Sequence, residues 1–284
     1  MNAYIEIIRP GNVLMATIAI ILVAIVGNNY QLPMLLAMIT VFFAISAGNV
    51  INDYFDYNID LINRPDRPIP SGRISLKNGR NYAYFLFICA TIAGILNSYL
   101  INNLIPAIII ILADILLYLY GYKFKSTVLI GNLIVGFLTG LCFIFGGYCA
   151  GIPTNSTEII VTSYFLGFFA FVMTTAREIT KDMEDIKGDS EKGIKTFPIV
   201  YGNRLSSILV VVLTIIACGL SPLLYYLKIF NIIYLIFVIV AVILFLYGVI
   251  PLLKNQDSKT CKKTSKMLKI GMLIAFMAFA VGSF

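Results

Sequence analysis

The sequence predicts an all-α integral membrane protein with nine transmembrane helices. Two counts and one pattern carry that prediction. Hydrophobic residues make up 60% of the 284 positions and charged residues only 12%, whereas a soluble domain is about half apolar and a quarter charged. Apolar runs approaching the roughly 20 residues needed to cross a bilayer recur along the whole chain. The basic residues, meanwhile, collect in alternate linkers. Helix is the expected state of every span, because a helix satisfies its backbone groups internally.

The elements follow in order. The first apolar run starts near Asn12; with no basic leader and no clear small-residue cleavage site, it is expected to be a span over 12–28 rather than a cleavable signal. "NNYQLP" leads into a span over 33–53, and a long linker, 54–80, separates this from 81–101. "NN" turns the chain into 104–122. A short basic linker, 123–127, precedes 128–150, and "GIPTNSTE" precedes 159–180. A charged linker, 181–204, leads to 205–227, 231–253 and 266–284, the last two being separated by the basic stretch 254–265. Of the 21 basic residues, all but Lys228 fall on one side when the N-terminus is placed in the cytoplasm. The positive-inside rule therefore puts the N-terminus and linkers 54–80, 123–127 and 181–204 in the cytoplasm, and the C-terminus outside. A single domain over 1–284 in the cell membrane is expected. The net charge of +7 is thus a topology signal, and bases spread over membrane loops give no reason to invoke nucleic acid.

Absent residue types narrow the chemistry. Without histidine there is no His-based metal site, general base or pH switch. Without tryptophan, tyrosine has to supply the interfacial belt. Cys89, Cys142, Cys149 and Cys218 lie inside apolar runs and read as packing residues; Cys261 reads as a free thiol in a basic loop.

Two acidic clusters stand out. Asp53, Asp56, Asp60 and Asp66 form one; Glu178, Asp182, Glu184, Asp185, Asp189 and Glu191 form the other. In "NDYFDYNID", Asn52, Asp56 and Asp60 are spaced by four, which on a helix makes one polar stripe. Oxygen ligands so close together repel unless a cation sits among them, and oxygen-only donors favour Mg²⁺ or Ca²⁺. The ordinary explanation is a solvated helix end, but acids suit an N-terminus better than the C-terminus they occupy here. In "AREITKDMEDIKGDSEKGIKTFP", Asp185 and Asp189 are again four apart, Asp182 stands three before, and Arg177 and Lys181 are interleaved. Surface ion pairs are the ordinary explanation there. Facing one another, two such stripes could hold Mg²⁺ ions around a diphosphate.

Bases accompany both stripes. "NRPDRPIPSGR" places Arg64, Arg67 and Arg73 after the first, and its prolines forbid a continuing helix, so a stiff cap is expected. "IRPGN" adds Arg9 and Asn12; "YGYKFKS" adds Tyr120, Lys123 and Lys125. Any one of these is explained as a positive-inside anchor. Together they suit a departing diphosphate, with Arg67 and Lys125 the foremost candidates for phosphate contact. Asp114, near the middle of the fourth span, is a further functional candidate, with a protonated or hydrogen-bonded packing residue as the ordinary explanation.

"NDYFDYNID", "NRPDRPIPSGRIS" and "DMEDIKGDSEKGIKTFPIVYG" together resemble the UbiA superfamily of intramembrane prenyltransferases, over essentially the whole chain. The resemblance implies a nine-helix bundle around a central cavity with a lateral opening to lipid. The superfamily's first Asp-rich motif maps onto Asn52, Asp56 and Asp60, and its second onto Asp185 and Asp189 with Asp182 adjoining. Its Tyr and Lys after helix 4 map onto Tyr120 and either Lys123 or Lys125. The implied reaction is Mg²⁺-dependent transfer of a geranylgeranyl group from geranylgeranyl diphosphate to the sn-2 hydroxyl of geranylgeranylglyceryl phosphate, in archaeal ether-lipid synthesis. The implied partners are these two substrates and membrane lipid. "IRPGNVLMA" and "AREITKDMEDIKGD" point to that branch. An aromatic or chlorin acceptor is the alternative within the superfamily. A transporter is the alternative outside it, but transport pathways place charges near the midplane, and only Asp114 fits.

Overall fold

A computed structural model describes residues 2–191 and 193–284. The described residues form helices α1 (Ala3–Ile7), α2 (Pro10–Val26), α3 (Leu32–Phe55), α4 (Tyr57–Asn63), α5 (Leu76–Leu100), α6 (Ile105–Tyr122), α7 (Ile130–Gly151), α8 (Thr157–Glu184), α9 (Ile186–Glu191), α10 (Phe197–Tyr201), α11 (Asn203–Leu220), α12 (Leu223–Tyr226), α13 (Ile232–Val249) and α14 (Ser258–Gly282). Short 3₁₀ turns cover Phe124–Ser126 and Ile250–Leu253. Among the described residues, eight helices are long and apolar enough to cross a membrane, and α2, with 17 residues, supplies the shorter ninth span.

Most ends lie within a few residues of the expected boundaries, and the larger differences have local causes. α5 starts at Leu76 because Ser75 caps it, its hydroxyl accepting from the Asn78 N–H at 3.2 Å. α14 starts at Ser258, eight residues earlier than hydropathy suggests, because the Asp257 carboxylate accepts from the Thr260 N–H at 2.7 Å and the lysines that follow are good helix formers. Cys261 is consequently not a loop thiol; it is fully buried in the first turn of α14.

Backbone contacts divide the chain into two compact units, residues 1–125 with 141–164 and residues 126–140 with 165–284. In the first, α3 packs along α5 and also meets α2 and α6. Hydrophobic burial does not drive helices together in lipid, so close packing has to. At Gly94 of α5, a methyl group would collide with Ile110 of α6. In the second unit α13 lies along α14, and at Gly271 a methyl group would collide with Phe245. Gly136 and Gly140 of α7 face α8 in the same way, meeting Thr175, Phe171 and the Gly167 carbonyl.

The segment between α4 and α5 is non-helical, as its prolines require. Ile69 and Ile74 are buried against the base of α5 beside Gly79, which anchors the segment. Arg73 fixes it at the other side. Its guanidinium donates to both Glu6 carboxylate oxygens of α1, at 2.7 and 2.9 Å, and to the Asp66 carbonyl.

Candidate active site

In the first unit, α3 delivers Asn52 and Asp53 at its last turn. Asp56 is the junction residue, outside both α3 and α4, yet the helical repeat runs through it. Its N–H donates to the Asn52 carbonyl at 2.9 Å, and its own carbonyl accepts from the Asp60 N–H at 2.8 Å. The stripe is therefore preserved across the break. Its members are buried: Asn52 is 9% exposed, Asp56 8% and Asp60 5%.

Burying carboxylates without partners is prohibitively costly. Here each finds a base. Lys125, on the 3₁₀ turn after α6, pairs with Asp56. Arg67, from the anchored proline segment, pairs with Asp60 and also donates to Asp53 at 3.2 Å. Arg9 pairs with Asp53 from the other side. Three carboxylates thus face three cationic side chains, and the cluster is close to neutral.

Asp53 is the residue that spacing missed. It is 2% exposed, the most buried of the acids, and it joins two arginines. It lies one position off the i, i+4, i+8 stripe but seven before Asp60, which is a second helical repeat. Arg9 adopts a left-handed backbone, φ 54°, directly before Pro10. Such a conformation in a non-glycine residue is held by its surroundings. The Asn49 amide of α3 supplies the hold, donating to the Ile8 carbonyl at 2.8 Å, while Asn12 donates to Asn49 at 3.3 Å.

Among the described residues, no three Asp, Glu, Cys or His side chains form a ready-made cation site. The bases occupy the carboxylates instead. One acceptor is left over: the Asn52 Oδ1 is buried and has no hydrogen-bond partner, while its amide nitrogen donates to Asp56 at 3.2 Å. An unpaired carboxamide oxygen beside a carboxylate is the donor set a hard cation accepts. The first stripe fits Mg²⁺ on that ground.

The second unit carries the other stripe. Asp182 accepts a 2.7 Å hydrogen bond from Asn132 of α7. This contact also escaped the sequence reading; Asn132, Gly136 and Gly140 recur every four residues on the face of α7 turned to α8. Glu178 accepts from Arg177 and Lys181, each at 2.9 Å. The ion pairs expected as the ordinary explanation are thus present at the start of this stripe. The Arg177 Nε is buried and unpaired. α8 ends at Glu184, so Asp185 falls between helices and is exposed, and Asp189 is half-buried on α9. Of the remaining candidates, Tyr120 is half-buried, while Asn12, Arg64 and Lys123 are exposed. Lys125 rather than Lys123 reaches the acidic cluster.

The profile of the UbiA prenyltransferase family matches residues 13–279. A digeranylgeranylglyceryl phosphate synthase from Methanobrevibacter smithii is 64% identical over 284 residues, covering 100% of this chain and 99% of that protein. The enzyme of the same name from Methanocaldococcus jannaschii is 39% identical, covering 100% and 96%. A solved structure concerning digeranylgeranylglyceryl phosphate synthase in membranes superposes with a TM-score of 0.85 at 39% identity, covering 99% of this chain and 97% of that one. A UbiA homologue from Archaeoglobus fulgidus, bound to GPP and Mg²⁺, shares the fold with a TM-score of 0.64 at 15% identity, covering 96% and 99%.

Proposed function

The chain belongs to the UbiA prenyltransferase family and is a membrane-embedded prenyltransferase, and from that premise we propose that it transfers the geranylgeranyl group of geranylgeranyl diphosphate to the sn-2 hydroxyl of geranylgeranylglyceryl phosphate. The donor and acceptor follow the name shared by its relatives. The observation that carries the chemistry is the buried, neutralised cluster at the end of α3, with its unpaired Asn52 oxygen.

Asn52, Asp56 and Asp60 of the first unit would hold Mg²⁺, and so would Asp185 and Asp189 of the second, with Asp182 adjoining. When bound, Mg²⁺ supplies Lewis-acid charge to the leaving diphosphate. The residues of the chain do the rest. Arg9, Arg67 and Lys125 hold the carboxylates before the donor arrives and turn to its phosphate oxygens afterwards, so the site exchanges one set of ion pairs for another. Arg64, Tyr120, Lys123, Arg177, Lys181 and Asn12 are further candidates for phosphate contact with donor or acceptor. As the bond from carbon 1 to the diphosphate oxygen breaks, positive charge spreads over the allylic unit. The acceptor hydroxyl oxygen then bonds to carbon 1, and its proton passes to a carboxylate of a stripe or to the departing diphosphate. Apolar walls keep water from capturing the cation. A cleft in the second unit, lined by Leu166, Phe169, Met173, Val242, Phe245 and Phe279, has the character to take a prenyl tail.

The test is product analysis. Purified protein with Mg²⁺ and geranylgeranyl diphosphate is offered geranylgeranylglyceryl phosphate, 4-hydroxybenzoate and a dihydroxynaphthoate together. Mass spectrometry is expected to find the double-tailed ether phosphate, with its second chain at sn-2. A prenylated ring in its place would overturn the acceptor assignment and leave prenyl transfer intact.

A further inference from the structure

The first turns of α14 carry a feature that prenyl transfer does not use. Lys259, Lys262, Lys263, Lys266 and Lys269 are all exposed and fall on one face of the helix. Lys254, just before it, is exposed as well. The opposite face is buried: Cys261, Thr264 and Leu268 pack inward, and the Thr264 hydroxyl donates to the Gly248 carbonyl of α13 at 2.7 Å. The helix is thus fixed with its lysines outward.

These charges form no ion pair within the described residues, though Asp257 feels the field of Lys259. Of the six, Lys263 alone has a side-chain partner there, its ammonium lying 3.4 Å from the Tyr247 hydroxyl and 5.2 Å from the ring centroid. The one acid in the segment, Asp257, has its carboxylate engaged by the Thr260 N–H and the Asn255 amide.

Their depth points to the partner. From Lys259 to Lys269 the stripe runs about 15 Å along the axis. The part of α14 beyond Lys269, roughly half of its 25 residues, is only about 20 Å long. A hydrocarbon core is about 30 Å thick. Lys266 and Lys269 belong to a helix long and apolar enough to span, and lysines so placed pack their stems against acyl chains while their ammonium groups reach outward to the headgroups. A soluble polyanion does not reach that level; a lipid phosphate is already there. Lysine clusters beside a membrane-spanning helix attract anionic headgroups.

We propose that this lysine face is a binding surface for the phosphate headgroups of anionic membrane lipids. It stands independently of the prenyl acceptor.

The experiment uses the full chain in phosphatidylcholine nanodiscs containing a trace of spin-labelled phosphatidic acid or spin-labelled phosphatidylcholine. Electron paramagnetic resonance reads the fraction of each label held motionally restricted by the protein. Wild type is expected to prefer phosphatidic acid by about tenfold. The variant Lys259→Gln/Lys262→Gln/Lys263→Gln/Lys266→Gln should fall to about twofold or less. A control removing the same charge from scattered sites, Lys77→Gln/Arg80→Gln/Arg204→Gln/Lys228→Gln, should keep most of the preference. Should the fourfold variant fail to enter nanodiscs, Lys262→Gln/Lys266→Gln carries the test with a partial fall. High salt should abolish the wild-type preference. Equal retention of both labels by wild type, or an equal fall in the control, would overturn the proposal. Neither readout depends on prenyl transfer.

Discussion

At the scale of single residues, Asp53 shows how a carboxylate outside the expected ligand set holds the site together. It is nearly inaccessible and lies between Arg9 and Arg67. Removing its charge leaves two guanidinium groups competing for Asp60 or reaching for water. We expect Asp53→Asn to lower unfolding stability by about 2–3 kcal/mol, below the cost of a fully buried pair because Arg9 is partly exposed; thermal unfolding in detergent measures it. Glu6 acts differently. The Arg73 guanidinium beside it holds its carboxyl below the ordinary value of 4.5, and Glu6 raises Arg73 in return. A lowered carboxyl pKa stabilises the fold above that value and ceases to do so as pH falls through the lower folded-state pKa. Wild type should therefore resist proteolytic nicking between α4 and α5 better than Glu6→Gln at neutral pH. The difference should fade as pH falls below 4.5 and on through the lowered folded-state value of Glu6. The stripe of Asn52, Asp56 and Asp60 was legible because helical repetition is visible in one strand of text. Asp53 was not, since its meaning comes from Arg9 and Arg67, which approach from distant segments. Asn132 was hidden for the same reason, its partner Asp182 being on another helix.

At the scale of elements, the breaks in helices matter more than their centres. α3 stops at Phe55 and α8 at Glu184, so each acidic stripe straddles a helix end and a short helix that follows. Spacing alone predicted a continuous stripe in both cases. The backbone bonds run through the junction residue in both, Asp56 in the first and Asp185 in the second, but Asp56 is buried whereas Asp185 is exposed. The start of α14 escaped a hydropathy-based reading because lysines look like loop; the cap at Asp257 and the buried opposite face make it helix. Asp114 also finds its explanation between elements. On α6, it accepts a 2.9 Å hydrogen bond from Thr91 of α5 and has no other hydrogen-bond partner among the described residues. That is a helix-to-helix link. Asp114→Asn should accordingly leave prenyl transfer within about threefold of wild type, whereas Thr91→Val should lower thermal stability by about 1 kcal/mol. A loss of transfer of 10²-fold or more in Asp114→Asn would contradict this.

At the scale of the whole molecule, the all-helical membrane class, the nine spans and the family were all readable from sequence, because they rest on composition, run length and long motifs. The two-unit division was not, since α7 and α8 each contribute to both units without any change in composition along them. The account rests on the buried cluster being a diphosphate clamp that the bases keep neutral until substrate arrives. Binding of a non-reactive thio analogue of geranylgeranyl diphosphate, measured by calorimetry with and without Mg²⁺, tests it most directly when wild type is set beside Asp56→Ala. Wild-type affinity should rise with Mg²⁺, and Asp56→Ala should bind about 10²-fold more weakly and lose the Mg²⁺ response. Equal affinity and an equal Mg²⁺ response in the two proteins would contradict the clamp.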